Sequence, residues 1–380
     1  MISKEKRLGL RTWVEIDTQA LKHNLNIFRS LVKPECKIMA VVKSNAYGHG
    51  LVDYSRVIEK MGIDYFGVDS VVEGVALRKA GIKKPILVLG YTLPEMVTRA
   101  QANDLDLAVS SFDSLKSILA LPLKKPVKIH IKVDTGMHRQ GFSLKDSKVL
   151  MAKLTANKRK IIVEGLFTHF ARAKNPAFPS YTLKQIEIFN QWRGILKNNG
   201  FAPICHASAS AGAILFPQAQ FDMVRIGAGL YGIWPAEETK AYSIDKFQLK
   251  PILSWRTILS EVKKVPQGSQ ISYDGTEAVV RDSILGICPI GYWHGYARAL
   301  SSIGKILVKG KRAKVLGRVC MDMIIVDLTD IPKAKVGDVV TLIGKDGKEE
   351  MSLEELARLA DQSTYEFIDR LNPLMERIYG

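Results

Sequence analysis

At 380 residues, with 47% hydrophobic and 24% charged side chains, the composition is that of a soluble globular protein of one large or two ordinary domains and excludes a disordered chain. No apolar run approaches the roughly 18 residues of a membrane span, and the basic opening MISKEKRLGLRTW lacks the apolar core of a signal peptide, so a cytoplasmic protein without a membrane partner is expected. The net charge of +17 raises nucleic acid as a partner, but the basic clusters (Lys158–Lys160, Lys309–Lys314) carry no interleaved aromatics, so a field that attracts anionic small molecules is expected instead.

In chain order, an amphipathic helix is expected over Thr18–Leu31, followed by short apolar runs that read as strands. These are Lys37–Val42, Tyr65–Val68, Pro85–Gly90, Leu105–Val109, Val127–Val133, Val163–Phe167, Pro203–His206 and Met223–Ile226. Segments with helical spacing, such as Val71–Ala80, Asp113–Ala120 and Tyr181–Asn198, lie between them. Eight strands alternating with helices predict an α/β fold, a closed (β/α)₈ TIM-like barrel over residues 1–242. Beyond a polar stretch at Pro235–Lys246 the pattern becomes β-rich. The runs are Ile252–Val265, Ile271–Tyr273, Ala278–Val280, Ile284–Ile287, Lys305–Val308, Ala313–Val319, Met323–Leu328 and Val339–Ile343, with no long helix until Leu353–Ala360. A C-terminal, mainly β domain over residues 243–380 is therefore expected. Cys36, Cys205, Cys288 and Cys320 are too scattered for a zinc module or a disulfide framework, and no metal is expected.

Reacting groups of such a barrel belong at the carboxyl ends of its strands. Lys43 ends the first strand, with Tyr47 four residues on; Lys132 lies in the fifth, ahead of DTGMHRQG; His169 ends the sixth; HASASAG follows the seventh and RIGAGLYG the eighth. Singly, each has an ordinary structural reading: a lysine reaching water, a core histidine, a Ser210 helix cap, a tight turn at Gly227 and Gly229. Together, Ser210 and the Gly227–Ala228 backbone form an amide cradle for phosphate opposite a strand-end lysine. That anatomy suits pyridoxal 5'-phosphate, held by its phosphate at one end and by a lysine imine at the other.

AVVKSNAYGHG resembles the pyridoxal-phosphate attachment site of alanine racemases, and KVDTGMHRQG, GLFTHFA, RIGAGLYG, SYDGT, PIGYWHGY and GRVCMDM resemble the same family in its usual order. The resemblance implies a (β/α)₈ barrel followed by a β domain, with Thr12–Ile16 packing on the latter. It implies a homodimer with shared active sites, in which Lys43 holds the cofactor and serves as one base while Tyr273 of the partner subunit serves as the other. It makes Tyr47, Ser210, Gly227, Ala228 and Tyr365 phosphate ligands, and sets Arg225, hydrogen-bonded by His169, against the pyridine nitrogen. Arg139 and the partner subunit's Met321 would hold the substrate carboxylate. Lys132 matches a lysine carbamylated in many members, and Tyr292, Arg298 and Arg318 match the entry corridor. The activity implied is interconversion of L- and D-alanine, supplying D-alanine for peptidoglycan.

The chain departs from that pattern at three places. Trp293–His294 stands where Ala-Asp is common, Lys174 where an acid is common, and Ala209 where Asn is common. These leave the substrate open between alanine and serine or a broader range of small amino acids. Arg225 argues against a decarboxylase of related fold, and the β domain against a barrel-only pyridoxal-phosphate homeostasis protein.

Overall fold

Eight parallel strands follow one another around a barrel in the order of the sequence, and the computed structural model describes residues 5–122 and 125–380 of the chain. The strands are Lys37–Val41, Tyr65–Val68, Ile86–Val88, Asp106–Val109, Val127–Lys132, Ile161–Phe167, Ile204–His206 and Met223–Ile226. The eighth pairs with the first in parallel register, Met39 opposite Arg225. Between the seventh and eighth, closure falls to an isolated bridge, Ala209 with Arg225, and to single bonds such as Asp222 N–H to the Cys205 carbonyl, 3.0 Å. Strands covered on both faces need apolar side chains throughout, and Ile38–Val41 and Tyr65–Val68 are buried without a break. Ser70 and Ser111 cap the helices that follow the second and fourth strands.

The chain separates into two compact units. One holds Ala20–Ala46 and Leu51–Pro251; the other holds Tyr47–Gly50, Ile252–Gly380 and the described residues before Ala20. The division expected at residue 242 therefore falls later. The polar stretch there forms a helix, Glu237–Ser243, whose Thr239 hydroxyl donates to the Lys174 carbonyl at 2.6 Å. Lys250 is held by buried Asn24, which accepts from its N–H at 2.9 Å and donates to its carbonyl at 2.8 Å.

The second unit is built on a large sheet in which Thr12–Ile16 runs antiparallel to Leu253–Ile258 and parallel to Glu376–Tyr379. The single strand expected over Ile252–Val265 is two, Leu253–Ile258 and Glu261–Val265, because the chain changes partners between them: Leu259 N–H bonds Asp338 and Ser260 N–H bonds Ile287. Likewise the strand expected at Ile271–Tyr273 stops at Ile271, and Tyr273 opens a 3₁₀ turn, Tyr273–Gly275.

In the first unit, Leu21, Leu25 and Phe28 form the buried stripe of the helix Thr18–Leu31. The Phe28 ring occupies the space a side chain at Gly229 would need; a Cβ there would lie 2.3 Å from it. Gly229→Ala is therefore expected to cost about 1–3 kcal/mol by overpacking in urea denaturation, and the Phe28→Leu, Gly229→Ala double variant less than the two single costs added.

Candidate active site

The first barrel strand ends in a turn of the uncommon hand. Ser44, Asn45, Ala46 and Tyr47 have φ of 56, 55, 52 and 53°, a run of left-handed residues without a glycine. Such residues cost about 1–2 kcal/mol each, so the surroundings must over-determine them. Ala46 N–H bonds the Val42 carbonyl at 2.9 Å, Ser44 N–H bonds the Glu73 carboxylate at 2.8 Å, and the Asn45 side chain accepts from Leu51 N–H at 2.9 Å. Lys43 opens this turn, half-buried at the strand end.

Around Lys43 the other strand ends bring cations. Lys132 is pulled down to about 8, first by burial and then by the charges of Arg139, Arg225 and Lys43. His169 is pulled down to about 3 by burial and by Arg225, Arg139, Lys132 and Lys43. These five side chains thus share one electrostatic neighbourhood. Arg225 lies at its base, buried, and its desolvation lowers it to about 9, which leaves it charged at neutral pH. Its Nη1 donates to His206 Nδ1 at 2.9 Å and to the His206 carbonyl at 3.0 Å; its Nη2 donates to the Thr168 and Ala207 carbonyls, both at 2.7 Å, and lies 3.3 Å from His169 Nδ1. The Phe167 ring stacks on His206 at 5.0 Å and lies near both Lys132 and Arg225.

Arg139 is exposed on a loop that its own sequence stiffens. The Asp134 carboxylate accepts from the N–H groups of Gly136, Met137 and His138 at 2.8–3.1 Å, and Gly141 is mandatory because a Cβ there would meet Asp134 N at 2.5 Å. Lys132 Nζ donates to Gln140 at 2.9 Å. Buried Ser210 opens the helix Ser210–Leu215, and its hydroxyl accepts from Gly229 N–H at 3.3 Å, so it adjoins the turn that carries Gly227 and Ala228. The carbonyls of that turn bond Leu230, Tyr231 and Ile233 N–H. Ala209, at the N-cap of the same helix, has no side chain to cap it.

The remaining sites, Lys174 apart, lie in the second unit. The rings of Tyr47 and Tyr365 are 6.1 Å apart. Tyr273 is 68% exposed, held between Ser272 and Asp274, both left-handed with φ of 64 and 60°. That turn is fixed by the Ser272 hydroxyl donating to the Arg318 carbonyl at 2.8 Å and by the Arg318–Asp274 ion pair at 3.1 Å. Arg318 thus braces the tyrosine's turn. Met321 and Tyr292 are exposed and belong to two loops joined by Tyr292 N–H to Cys320 and Trp293 N–H to Met321, 3.1 and 3.0 Å. His294 is buried and its Nδ1 accepts from Gly291 N–H at 3.2 Å, a ring nitrogen doing the work of an acidic side chain in that turn. Arg298, exposed, begins the 3₁₀ turn Arg298–Leu300, and Lys174 is exposed beside the helix Glu237–Ser243.

Sequence reasoning passes over His206, Thr168, Gln140 and the buried His130, Tyr65 and Asp106. The available signal is a polar residue interrupting a strand buried on both faces, as in KIHIK and DLAV. Two of the imidazoles also set a pH dependence. An unfolded histidine takes a proton below about 6.5, whereas folded His169 stays neutral to about 3 and His206 also lies well below the usual value through burial and Arg225. The unfolded state then binds more protons than the folded one, so stability falls as pH drops from about 6.5 toward 3. Urea midpoints measured across that window should decline, and His169→Asn should flatten the decline.

Family models describe two parts of the chain, alanine racemase N-terminal domain over residues 16–235 and alanine racemase C-terminal domain over residues 252–379. The alanine racemase of Methanococcus maripaludis is 40% identical over 97% of this chain and 98% of its own, and that of Halothermothrix orenii is 39% identical over 98% of each. Among solved structures, an alanine racemase of Bacillus anthracis with bound L-Ala-P superposes with a TM-score of 0.91 at 34% identity, covering 97% of this chain and 95% of that one. The chain belongs to the alanine racemase family.

Proposed function

We propose that this alanine racemase interconverts L- and D-alanine with pyridoxal phosphate linked to Lys43, by proton transfer between Lys43 on one face of the substrate's α-carbon and the partner subunit's Tyr273 on the other. The observation that carries the reading is Lys43, on its strained turn, among three further cations: Lys132, Arg139 and Arg225. The residues present fit the cofactor, since a neighbourhood this positive complements a phosphate and a substrate carboxylate. Tyr47, Ser210, Gly227, Ala228 and Tyr365 are the phosphate ligands in this reading.

Bound pyridoxal phosphate supplies the electron sink that lets the α C–H bond break. Arg225 would face the ring nitrogen and, because a guanidinium only donates, would leave that nitrogen unprotonated, weakening the sink and limiting side reactions such as transamination. Arg139 and the backbone of the partner subunit's Met321 orient the substrate by its carboxylate. Lys43 and Tyr273 each take the proton in one direction and return it in the other, which is what inversion of a stereocentre requires.

A homodimer is part of this reading. Tyr273, Tyr292, Trp293, Met321 and Met323 are large apolar or aromatic side chains left exposed on neighbouring loops of the second unit, which supports a protein surface covering them. No helix among the described residues is long and apolar enough to cross a membrane, and a cytoplasmic enzyme feeding D-alanine to peptidoglycan is proposed.

Purified protein should show the visible absorbance of a lysine-linked cofactor, and Lys43→Ala should lose it; a retained band would remove Lys43 as the attachment point. Mixing the inactive Lys43→Ala and Tyr273→Phe variants should restore part of the activity, up to about a quarter for random exchange with one intact site per hybrid. No recovery despite confirmed subunit exchange would overturn the shared site. Chiral chromatography over alanine, serine, lysine and arginine should show alanine as the preferred substrate.

A further inference from the structure

Among the described residues Arg225 has no carboxylate in contact: its hydrogen-bond partners there are three carbonyls and two imidazoles. One of those imidazoles begins a chain of side chains that crosses the barrel interior. His206 Nε2 lies 2.9 Å from His130 Nδ1, and His130 Nε2 lies 3.3 Å from the Tyr65 hydroxyl. The Tyr65 hydroxyl donates to Asp106 Oδ2, which is itself 3.6 Å from His130 Nε2. Asp106, Tyr65, His130 and His206 are all at most 2% exposed, and they come from the fourth, second, fifth and seventh strands. The seat of His130 is carved for it: on the sixth strand, a Cβ at Gly165 would lie 2.0 Å from His130 Nδ1.

The two ends of this chain fix every proton between them. A guanidinium only donates and an ionised carboxylate only accepts. Arg225 therefore gives a hydrogen to His206 Nδ1, so His206 carries its own on Nε2 and gives it to His130 Nδ1. His130 in turn carries its hydrogen on Nε2 and gives it to the Tyr65 oxygen, whose hydrogen goes to Asp106. Each contact then holds one hydrogen, and all point from the cation to the anion. A second proton on either imidazole would put two hydrogens into one contact. Hydrogen bonds aligned this way polarise one another.

We propose that Asp106 is the electrostatic partner of Arg225, and that Tyr65, His130 and His206 are positioning residues that hold both imidazoles neutral in a single tautomer and set the orientation and donor strength of the guanidinium. The proposal rests on the reading of Arg225 as the group that faces the cofactor's ring nitrogen. The negative end of the relay offsets a buried charge that burial alone would weaken. It also delivers that charge away from the reacting face, so that no carboxylate stands near the ring nitrogen to attract a proton there.

The test begins on the full-length wild-type protein, labelled with ¹⁵N at histidine and examined with and without added pyridoxal phosphate. Imidazole ¹⁵N–¹H correlation spectra, assigned by His130→Gln and His206→Gln, should show both rings neutral with the hydrogen on Nε2. A doubly protonated ring, or the Nδ1–H form at either position, overturns the relay without any appeal to activity. The second arm is Asp106→Asn, which keeps an acceptor for Tyr65 but removes the charge. Its holoenzyme should show a displaced visible maximum and about a tenfold lower kcat with KM within about twofold of wild type, the range found when an outer partner of a site is removed. An unchanged maximum and kcat overturn Asp106 as the electrostatic partner. Tyr65→Phe, which cuts the chain, should displace the maximum in the same direction. If Asp106→Asn does not fold, the wild-type tautomers decide. Failure of the wild type to take up cofactor or to racemise would instead strike the functional reading, and would leave the tautomer result standing.

Discussion

Enclosing a guanidinium inside a barrel is the demand that organises the first unit. A buried cation without full hydrogen bonding costs several kcal/mol or more, so Arg225 dictates its surroundings. The Thr168, His206 and Ala207 carbonyls turn toward it from the ends of the sixth and seventh strands. Closure between the seventh and eighth strands is left to the Ala209–Arg225 bridge and single bonds, and the His206 carbonyl serves both Arg225 and the Thr168 N–H. Phe167 covers the flank with a ring face, and Gly165 gives up its side chain so that His130 can stand behind His206. One charge thus draws together a glycine, an aromatic and two histidines.

The second unit meets a different demand, that of presenting side chains outward without letting them wander. Tyr273 is exposed but not loose, because its neighbours occupy left-handed backbone that only a braced turn maintains, and Arg318 supplies the brace twice, by its carbonyl and by its guanidinium. The loops carrying Tyr292 and Met321 are stitched together by backbone bonds, with Gly291 pressed so close that a Cβ would meet the Cys320 carbonyl at 2.2 Å. Rigidity here is made of main-chain contacts, so the side chains can vary. Trp293 and His294 are such variations: His294 keeps its turn by accepting through a ring nitrogen.

The barrel was legible because strands buried on both faces must be nearly continuous apolar runs, and the intervening helices keep a different period. The β-rich texture after residue 252 was legible for the same reason. Changes of partner were not, since nothing in Leu259–Ser260 differs chemically from the strands on either side; only the tertiary partners Asp338 and Ile287 break the run. The site divided similarly. Strand-end polar residues such as Lys43 and His169 stood out by position, and the motifs gave them roles. The left-handed turn after Lys43 carried no signal, because Ser44, Asn45 and Ala46 are not glycines and the conformation is imposed from outside. The interior relay escaped because its members are 76, 65 and 41 residues apart and each reads locally as a lone polar residue in a strand.

The segment Tyr47–Gly50 has a further consequence, in time rather than in space. Tyr47–Gly50 is secured by residues from more than 300 positions later: Arg377 donates to the Gly48 carbonyl, Tyr379 to the His49 carbonyl, and Gly48 is pressed so close to Ile368 that a Cβ would lie 2.2 Å from its carbonyl oxygen. During synthesis the barrel strands leave the ribosome long before those partners exist. Tyr47–Gly50 is made early, but the clamp on its backbone arrives only with residues 368–379. Until then this segment lacks part of what holds it. The order of translation therefore defers the fixing of Tyr47–Gly50 to the last stage of folding.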